Sequence, residues 1–393
     1  MLSSKPTNKS NQLRIKTFLA TCKNSLRFKC PTRNDLIKLS DTEISTEPGT
    51  IYFIRERDLI TNEISPFVKI GLTALRRKTT DRKNDLQTGN PRELFVAHEI
   101  VVPCVRAVET ALRYKFLAQN VNLEWHFFSE KSENQIQHAV NFCEELKEQF
   151  AKQVSSIEEA KRLDNTPSTK ELIPPTEEAV HWRNQFLVHH EIVKLGRTAA
   201  TMQRMKAKEC FQNGEEIPDG IRITERQISE VNWNQFQKIY PEIVEKYIKR
   251  QLSGVFKILG KITQKETTAN LKISETETEV KKFFELFNTE KNHGDPSPEL
   301  RQQRIKLQQL TKISTVEKEL ARCHLKTICG TAPGITNICS WVRELSRPKL
   351  DTAHLLREHE YLLTPFTSNK KLITTTLTRS VGKVAENLKS QSF

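Results

Sequence analysis

Between Gly49 and Phe128 the residue pattern alternates between a period of two and a period near 3.6, and the order of that alternation constrains the fold more than any other feature of the chain. Thr50 to Ile54 is β-branched and aromatic and reads as a strand. A polar hairpin around Thr61 to Pro66 leads into a second strand, Phe67 to Leu72. Thr79 to Gln87 is polar with helical spacing, and Gly89-Asn90-Pro91 stops it. Leu94 to Val102 is a third strand. Arg106 to Ala118 is an amphipathic helix whose inner side is marked by Val108, Ala111, Leu112, Lys115 and Phe116. Leu123 to Phe128 is a short aromatic strand, and Glu133 to Val154 a final helix. The order β-β-α-β-α-β-α predicts an α+β domain of about 100 residues.

The rest of the 393 residues divides around this unit. Met1 to Asn34 has no acidic residue and carries Lys5, Lys9, Arg14, Lys16, Lys23, Arg27, Lys29 and Arg33. Ile15, Phe18, Leu19, Cys22 and Leu26 share one helical face, so residues 1–47 read as a basic arm, although the composition is also that of a transit peptide. The unit itself spans 48–154. Residues 155–178, with Pro167, Pro174 and Pro175 among Ser, Thr and Glu, read as a linker. Residues 179–393 read as a mostly α-helical C-terminal domain for targeting or partner binding. Its helical patterns run over Val180–Phe211, Pro241–Ile262, Val280–Phe287 and Glu299–Ile328, with breaks at Gln212–Gly220 and Asn292–Pro298. A helix-turn-helix over Thr224–Ile248 is weighed against plain core packing, and packing is preferred.

Charge narrows the partners. The formal net charge of +14 and a pI near 9.3 favour polyanions, because each cation set on a phosphate releases a counterion. The sequence contains no apolar run of membrane-spanning length, and the eight cysteines form no Cys-x-x-Cys pair. Reduced thiols in a cytoplasmic protein are therefore expected. Cys323, His324, Cys329 and Cys339 read as core groups. Neither His189-His190-Glu191 nor His354, Glu358 and His359 has metalloprotease spacing, and Gly330 to Gly334 lacks the lysine of a phosphate loop and reads as a turn.

Four residues of the first unit suit phosphodiester hydrolysis. Tyr52 is on the first strand and Lys69 on the second, where a hairpin can bring both to one sheet face or end. Arg82 lies on the polar helix, and Glu109 is the only carboxylate within the amphipathic helix. A carboxylate can hold Mg²⁺, an arginine can neutralise charge building on a phosphoryl oxygen, and a phenol or amine can take a proton from water if its pKa is lowered.

The segment resembles the GIY-YIG nuclease superfamily, in particular a phage and bacterial branch whose second motif reads Lys-Ile-Gly. The matching blocks are Gly49-Thr50-Ile51-Tyr52-Phe53-Ile54, Val68-Lys69-Ile70-Gly71-Leu72-Thr73, Arg82 to Pro91, Ala107-Val108-Glu109 with Leu112 and Phe116, and Glu124-Trp125 before Phe127. The resemblance covers about a fifth of the chain and implies a GIY-YIG-like fold, a small antiparallel sheet flanked by helices. It implies Tyr52 as water activator, Arg82 as the contact to the scissile phosphate, Glu109 as the metal ligand, and Gly71 where the backbone passes tightly. Lys69 stands where other branches have tyrosine, which leaves the base open between Tyr52 and Lys69. Thr50 replaces a glycine, Arg113 stands where this branch often has histidine, and Ala74 to Thr80 is an insertion. Arg76, Arg77 and Lys78 of that insertion, with Lys83 and Arg113, are the candidate nucleic-acid contacts.

The resemblance implies a metal-dependent DNA endonuclease using Mg²⁺ or Mn²⁺, compatible with phage defence or mobile-element biology. RNA stays open as a substrate, as does a protein partner or second copy for the helical region. The alternative is a catalytically weak or inactive nucleic-acid-binding protein on the same fold.

Overall fold

The computed structural model describes residues 44–122, 124–128, 132–215, 221–250, 252–260, 267–289, 298–346 and 348–377. The basic arm expected over 1–47 lies almost wholly outside the described residues.

The first unit is an antiparallel five-stranded sheet with helices on both faces. Its strands are β1 (Gly49–Arg57), β2 (Ile64–Ala74), β3 (Glu93–Val102), β4 (Asn120–Asn122) and β5 (Trp125–Phe127), in the spatial order β3-β1-β2-β5-β4. β1 is central and buried along most of its length, so it reads as a continuous apolar run and not as an alternating one. The β1–β2 register sets Ile51 opposite Leu72, Tyr52 opposite Gly71, Phe53 opposite Ile70 and Ile54 opposite Lys69. Ile51, Phe53, Val68 and Ile70 form the main core with α2 (Val105–Lys115) and α3 (Ser132–Ala151). Tyr52 and Ile54 face the other way, onto Leu94, Val96, Trp125 and Leu86 of α1 (Thr79–Gln87). Sequence and structure agree on α1 to the residue. Lys115, expected on the inner side of α2, is exposed, with its ammonium 5.3 Å from the centroid of the Phe142 ring.

Residues 155–178 are not a linker. α4 (Val154–Asp164) buries Ile157, Ala160 and Leu163, a helical face that the polar composition of the segment obscures. The proline-rich stretch after it is docked: Ser168 N donates to Arg343 O at 3.1 Å, Thr169 N to Thr331 O at 2.8 Å, and Ile173 bridges Ile335. The two halves also share a core. α5 (Glu177–Asn213), the first long helix of the second half, packs through Ala179 and Phe186 against Ala321 and Leu325 of another. That partner also sends Leu320 and Val316 into the core of the first unit.

The second half is less helical than expected. β6 (Ile221–Val231) is a strand, which removes the first part of the helix-turn-helix reading; α6 (Trp233–Ile239) and α7 (Pro241–Lys246) are short. The pattern over Pro241–Ile262 is helical only to Lys246. It continues as β7 (Ile248–Lys249), β8 (Leu252–Gly254) and β9 (Lys257–Ile258), and Val255 and Leu259 of the supposed apolar stripe are exposed. Gly254 permits this pairing, since a Cβ there would lie 2.7 Å from Val342 O. Then come α8 (Thr267–Thr289), α9 (Pro298–Cys329, the helix that carries Leu320), β10 (Gly334–Ile335), β11 (Cys339–Ser340), β12 (Arg343–Leu345), β13 (Lys349–Leu350), α10 (Thr352–Leu363) and β14 (Thr367–Leu377). β6 and β14 form one antiparallel ribbon, and β9, β8 and β7 pair in turn with β11, β12 and β13 as a second. Both ribbons end at a small apolar cluster of Phe236, Val244, Tyr247, Leu355, Leu363 and Phe366. Among the described residues, no helix is long and apolar enough to cross a membrane.

Because Leu320 closes the core of the first unit from the second half, Leu320→Ala is expected to cost about 2–5 kcal/mol. Urea unfolding followed by tryptophan fluorescence checks this. The loss should fall on one shared transition; two transitions, with the first-unit one unmoved, would contradict the shared core.

Candidate active site

The face of the sheet beneath α1 gathers three of the four residues expected from the sequence. Tyr52 is at the middle of β1 and is 1% exposed. Its ring crosses to β2 above Gly71: a Cβ at position 71 would lie 2.5 Å from the phenolic oxygen and 2.7 Å from Cζ. Glycine is therefore required there by space, not by backbone angle. Arg82 reaches down from α1 and its guanidinium hydrogen-bonds the phenolic oxygen. That bond is the largest cause holding the Arg82 pKa above its ordinary value. Asp85, one helical turn on, lies 4.0 Å from Arg82 and also pairs with Arg77.

Lys69 lies on β2 with its side chain 8% exposed. Its ammonium is 2.8 Å from Glu124 Oε2 and 5.6 Å from the centroid of the Trp125 ring. Glu124 is held in turn by its backbone, whose carbonyl accepts from Ile70 N at 2.9 Å and from His126 Nδ1 at 3.0 Å. Glu124, quoted in a motif block, is the site group to which sequence reasoning gave no role. The signal for it was the register of β5, because Trp125 pairs with Lys69 and brings the preceding carboxylate to the lysine.

Burial is the largest influence on Tyr52 and raises its pKa above the ordinary 10.0; the Arg82 hydrogen bond opposes it, and the charges of Glu124 and Glu109 add to it. Glu109 thus acts on the phenol through space. It comes from α2, which packs on the opposite face of the sheet, and its carboxylate accepts from Arg113 Nη1 at 3.4 Å. Arg113, expected to contact nucleic acid, is turned onto Glu109 in this structure. Arg76, Arg77 and Lys78 are exposed on the loop before α1, and Lys83 is half-buried on α1.

Among the described residues, no group of three or more His, Cys, Asp and Glu side chains could hold a metal. The Cys329 and Cys339 sulfurs are 3.3 Å apart and buried, burial pushes the Cys323 thiol up to about 11, and His324 stacks on Trp182 at 3.8 Å. His189 is pushed down to about 4 by burial. His354 and Glu358 pair at 2.6 Å, and Tyr247 donates to the same carboxylate. These groups form packing and polar contacts apart from the sheet face. Comparison of the chain with family models, with curated proteins and with solved structures returned no match.

Gly71→Ala is expected to cost about 1–3 kcal/mol by overpacking the Tyr52 ring. Tyr52→Phe removes the nearest atom, so a double-mutant cycle in urea should show a smaller loss on the phenylalanine background. Additive losses would mean that the added methyl group meets something other than the phenol. The pH dependence has a definite sign. The folded pKa of Tyr52 lies above the unfolded one, so its contribution to stability is complete below about pH 10 and drains away as pH rises through the folded value. Between pH 9 and 11, Tyr52→Phe should therefore flatten the fall of unfolding free energy with pH; an unchanged slope would remove Tyr52 as its source.

Proposed function

We propose that residues 48–154 form a GIY-YIG-like nuclease unit and that the chain is a metal-dependent endonuclease hydrolysing DNA phosphodiester bonds. The observation that carries this reading is the convergence of Tyr52, Arg82 and Lys69 on one sheet face, over the one position, Gly71, where the phenol leaves no room for a side chain.

Arg82 is the phosphate ligand of this reading. A guanidinium matches two phosphoryl oxygens and neutralises the charge that builds on them during attack. Its present partner is the phenolic oxygen. When Arg82 turns to a phosphate, that oxygen is released beside the reacting group. Whichever of Tyr52 and Lys69 has first given up its own proton to solvent then takes the proton of the attacking water. Arg76, Lys78 and Lys83 add charge along the approach, and the salt sensitivity of binding should reflect them. Glu109 would hold Mg²⁺ or Mn²⁺. A single partly exposed carboxylate suits Mg²⁺, which keeps several waters and needs only one or two carboxylates beside substrate oxygens. When bound, the ion would supply Lewis-acid stabilisation of the phosphate and the leaving oxygen.

The second reading, nucleic-acid binding without cleavage, draws on the burial of Tyr52 and on the Arg113–Glu109 pair. The two separate in one assay. The purified full chain with Mg²⁺ or Mn²⁺ should cut DNA, EDTA should stop it, and Glu109→Ala should lower the rate by about 100-fold or more, equivalent to about 2.7 kcal/mol of barrier. Cleavage that survives Glu109→Ala would remove Glu109 from the site. Salt-sensitive DNA binding with no cleavage in either metal would establish the second reading. RNA substrates run alongside decide the nucleic acid. The second half of the chain is left to targeting, through nucleic acid, a protein partner or a second copy, and the biological setting of phage defence or mobile-element activity is part of the same proposal.

A further inference from the structure

The positive charge of the chain does not lie where the candidate active site is. Residues 48–154 carry 15 Lys and Arg against 14 Asp and Glu, so that unit is close to neutral. Residues 221–260 and 343–377, which hold both ribbons and the apolar cluster at their ends, carry 13 against 8. A near-neutral unit gains little from counterion release on a polyanion, and the more basic half of the chain is the better grip.

Of the two ribbons, β6 with β14 is the long one. It pairs without a break through eleven residue pairs, from Val231 and Thr367 to Ile221 and Leu377. At about 3.3 Å per residue it is about 36 Å long. The other ribbon is broken into ladders of two or three pairs. Among the described residues, no third strand joins β6 or β14. Opposed residues share a face, and the face alternates along each strand. One face carries Gln227 opposite Lys371 and Ser229 opposite Asn369, with Glu225 beyond, all exposed. Ser229 Oγ donates to Asn369 Oδ1 across the ribbon at 3.2 Å. Lys370, Glu230 and Ser368 lie on the opposite face. Lys371 is 2.8 Å from Glu225, but exposed pairs of this kind are weak, so the ammonium is open to a stronger partner. It also lines a cleft with Lys208, Phe211 and Gln212 from the end of α5, which sets a second ammonium on the same side.

These residue types match one ligand. In the major groove of B-DNA, carboxamides read adenine, cations read guanine, a carboxylate accepts from cytosine and a hydroxyl serves either kind of edge. The face of Gln227, Asn369, Lys371, Glu225 and Ser229 holds each of these. A ribbon whose strands lie about 4.8 Å apart fits a groove about 12 Å wide, and the minor groove, about 6 Å wide, is too narrow for it. We propose that the β6–β14 ribbon enters the major groove of duplex DNA with this face inward, Gln227 and Asn369 on base edges and Lys371 and Lys208 on the flanking phosphates. From the reading above it takes only the identity of the partner, DNA, and it holds with or without cleavage.

The test is the affinity of the full chain, in EDTA, for a randomised DNA duplex pool and for the sequences selected from it. Threonine suits a strand, so it replaces each ribbon residue in turn, with thermal unfolding to show that the variants are folded. Should a threonine variant not fold, alanine takes its place. Lys371→Thr and Lys208→Thr should each weaken binding to every duplex about 3- to 10-fold and lower the salt slope by about 1. Gln227→Thr and Asn369→Thr should weaken the selected sequences about 5- to 100-fold with the slope unchanged. Lys370→Thr removes the same charge from the other face and should change affinity by less than about twofold. Replacing the purines of a selected duplex by their 7-deaza forms removes the N7 acceptors, which face the major groove alone, and should cost the same selectivity. Equal losses from Lys370→Thr and Lys371→Thr would overturn the proposal, as would a 7-deaza duplex bound as tightly as the ordinary one. So would tighter binding to duplex RNA, whose deep, narrow major groove keeps side chains out. A ribbon variant that loses a dimer while keeping its affinity for DNA would give this face to a second copy of the chain. The nuclease reading is decided separately: ribbon-dependent binding with no cleavage in Mg²⁺ or Mn²⁺ sinks that reading alone, and cleavage with binding untouched by every ribbon change sinks only the ribbon.

Discussion

The phenol ring of Tyr52 crosses from β1 to β2 at the position where β2 has no side chain, and the register of the sheet is pinned at that crossing. Moving β1 by one residue would exchange Tyr52 and Ile54 for Ile51 and Phe53 beneath α1 and would drive the Tyr52 hydroxyl into the main core. The reverse holds for β2, where Lys69 and Gly71 alternate with Val68 and Ile70. Core and candidate site are therefore specified by one pairing. The apolar face makes the register cooperative, since fully burying residues such as Phe53 and Ile70 is worth about 1.5–3 kcal/mol each. That stability holds Tyr52 against Gly71, and the buried phenol in turn has its oxygen aimed where Arg82 can reach it.

The same sheet depends on the distant half of the chain. Leu320 and Val316 of α9 complete the core under α2, Lys326 pairs with Asp164 at 2.7 Å, and Gln309 Nε2 donates to Lys115 O at the end of α2. Glu109 sits on that same α2. A shift of α9 would be felt first at the helix that carries the candidate metal ligand, and only then, across the sheet, at Tyr52.

What was legible in the sequence follows from how locally each feature is encoded. The strands of the first unit and α1 were readable because turn residues bound them: Pro48-Gly49, the hairpin, and Gly89-Asn90-Pro91. Tyr52, Lys69 and Arg82 were placed together by the hairpin and by motif order. Glu124 was not, because a carboxylate in a five-residue aromatic stretch gains meaning only when Trp125 pairs with Lys69. Residues 155–178 misled because proline, serine and glutamate dominate the count, while Ile157, Ala160, Leu163 and Ile173 do the docking. Over Pro241–Ile262 an apolar pattern of helical period was overruled by strand partners about ninety residues away, which no local window contains.

The hydrogen bond between Arg82 and Tyr52 is a resting arrangement on energetic grounds. A neutral phenolic oxygen gives a guanidinium one uncharged acceptor, whereas a phosphate offers it two charged oxygens in a fork. On the proposed nuclease reading a phosphate at the face competes well for Arg82, and Asp85, at 4.0 Å and already shared with Arg77, is a weak rival. Taking Arg82 away removes the two influences that hold the Tyr52 pKa down, leaving burial and the carboxylates to keep the phenol neutral. A neutral phenol is a poor base. For Tyr52 to serve as the base of the proposed reaction it must first lose its own proton, which needs positive charge close by, and the groups available for that are the Lys69 ammonium paired with Glu124 and the cation that Glu109 would bring. The two carboxylates that oppose ionisation of Tyr52 are thus, on the same reading, the two that would deliver the charges favouring it.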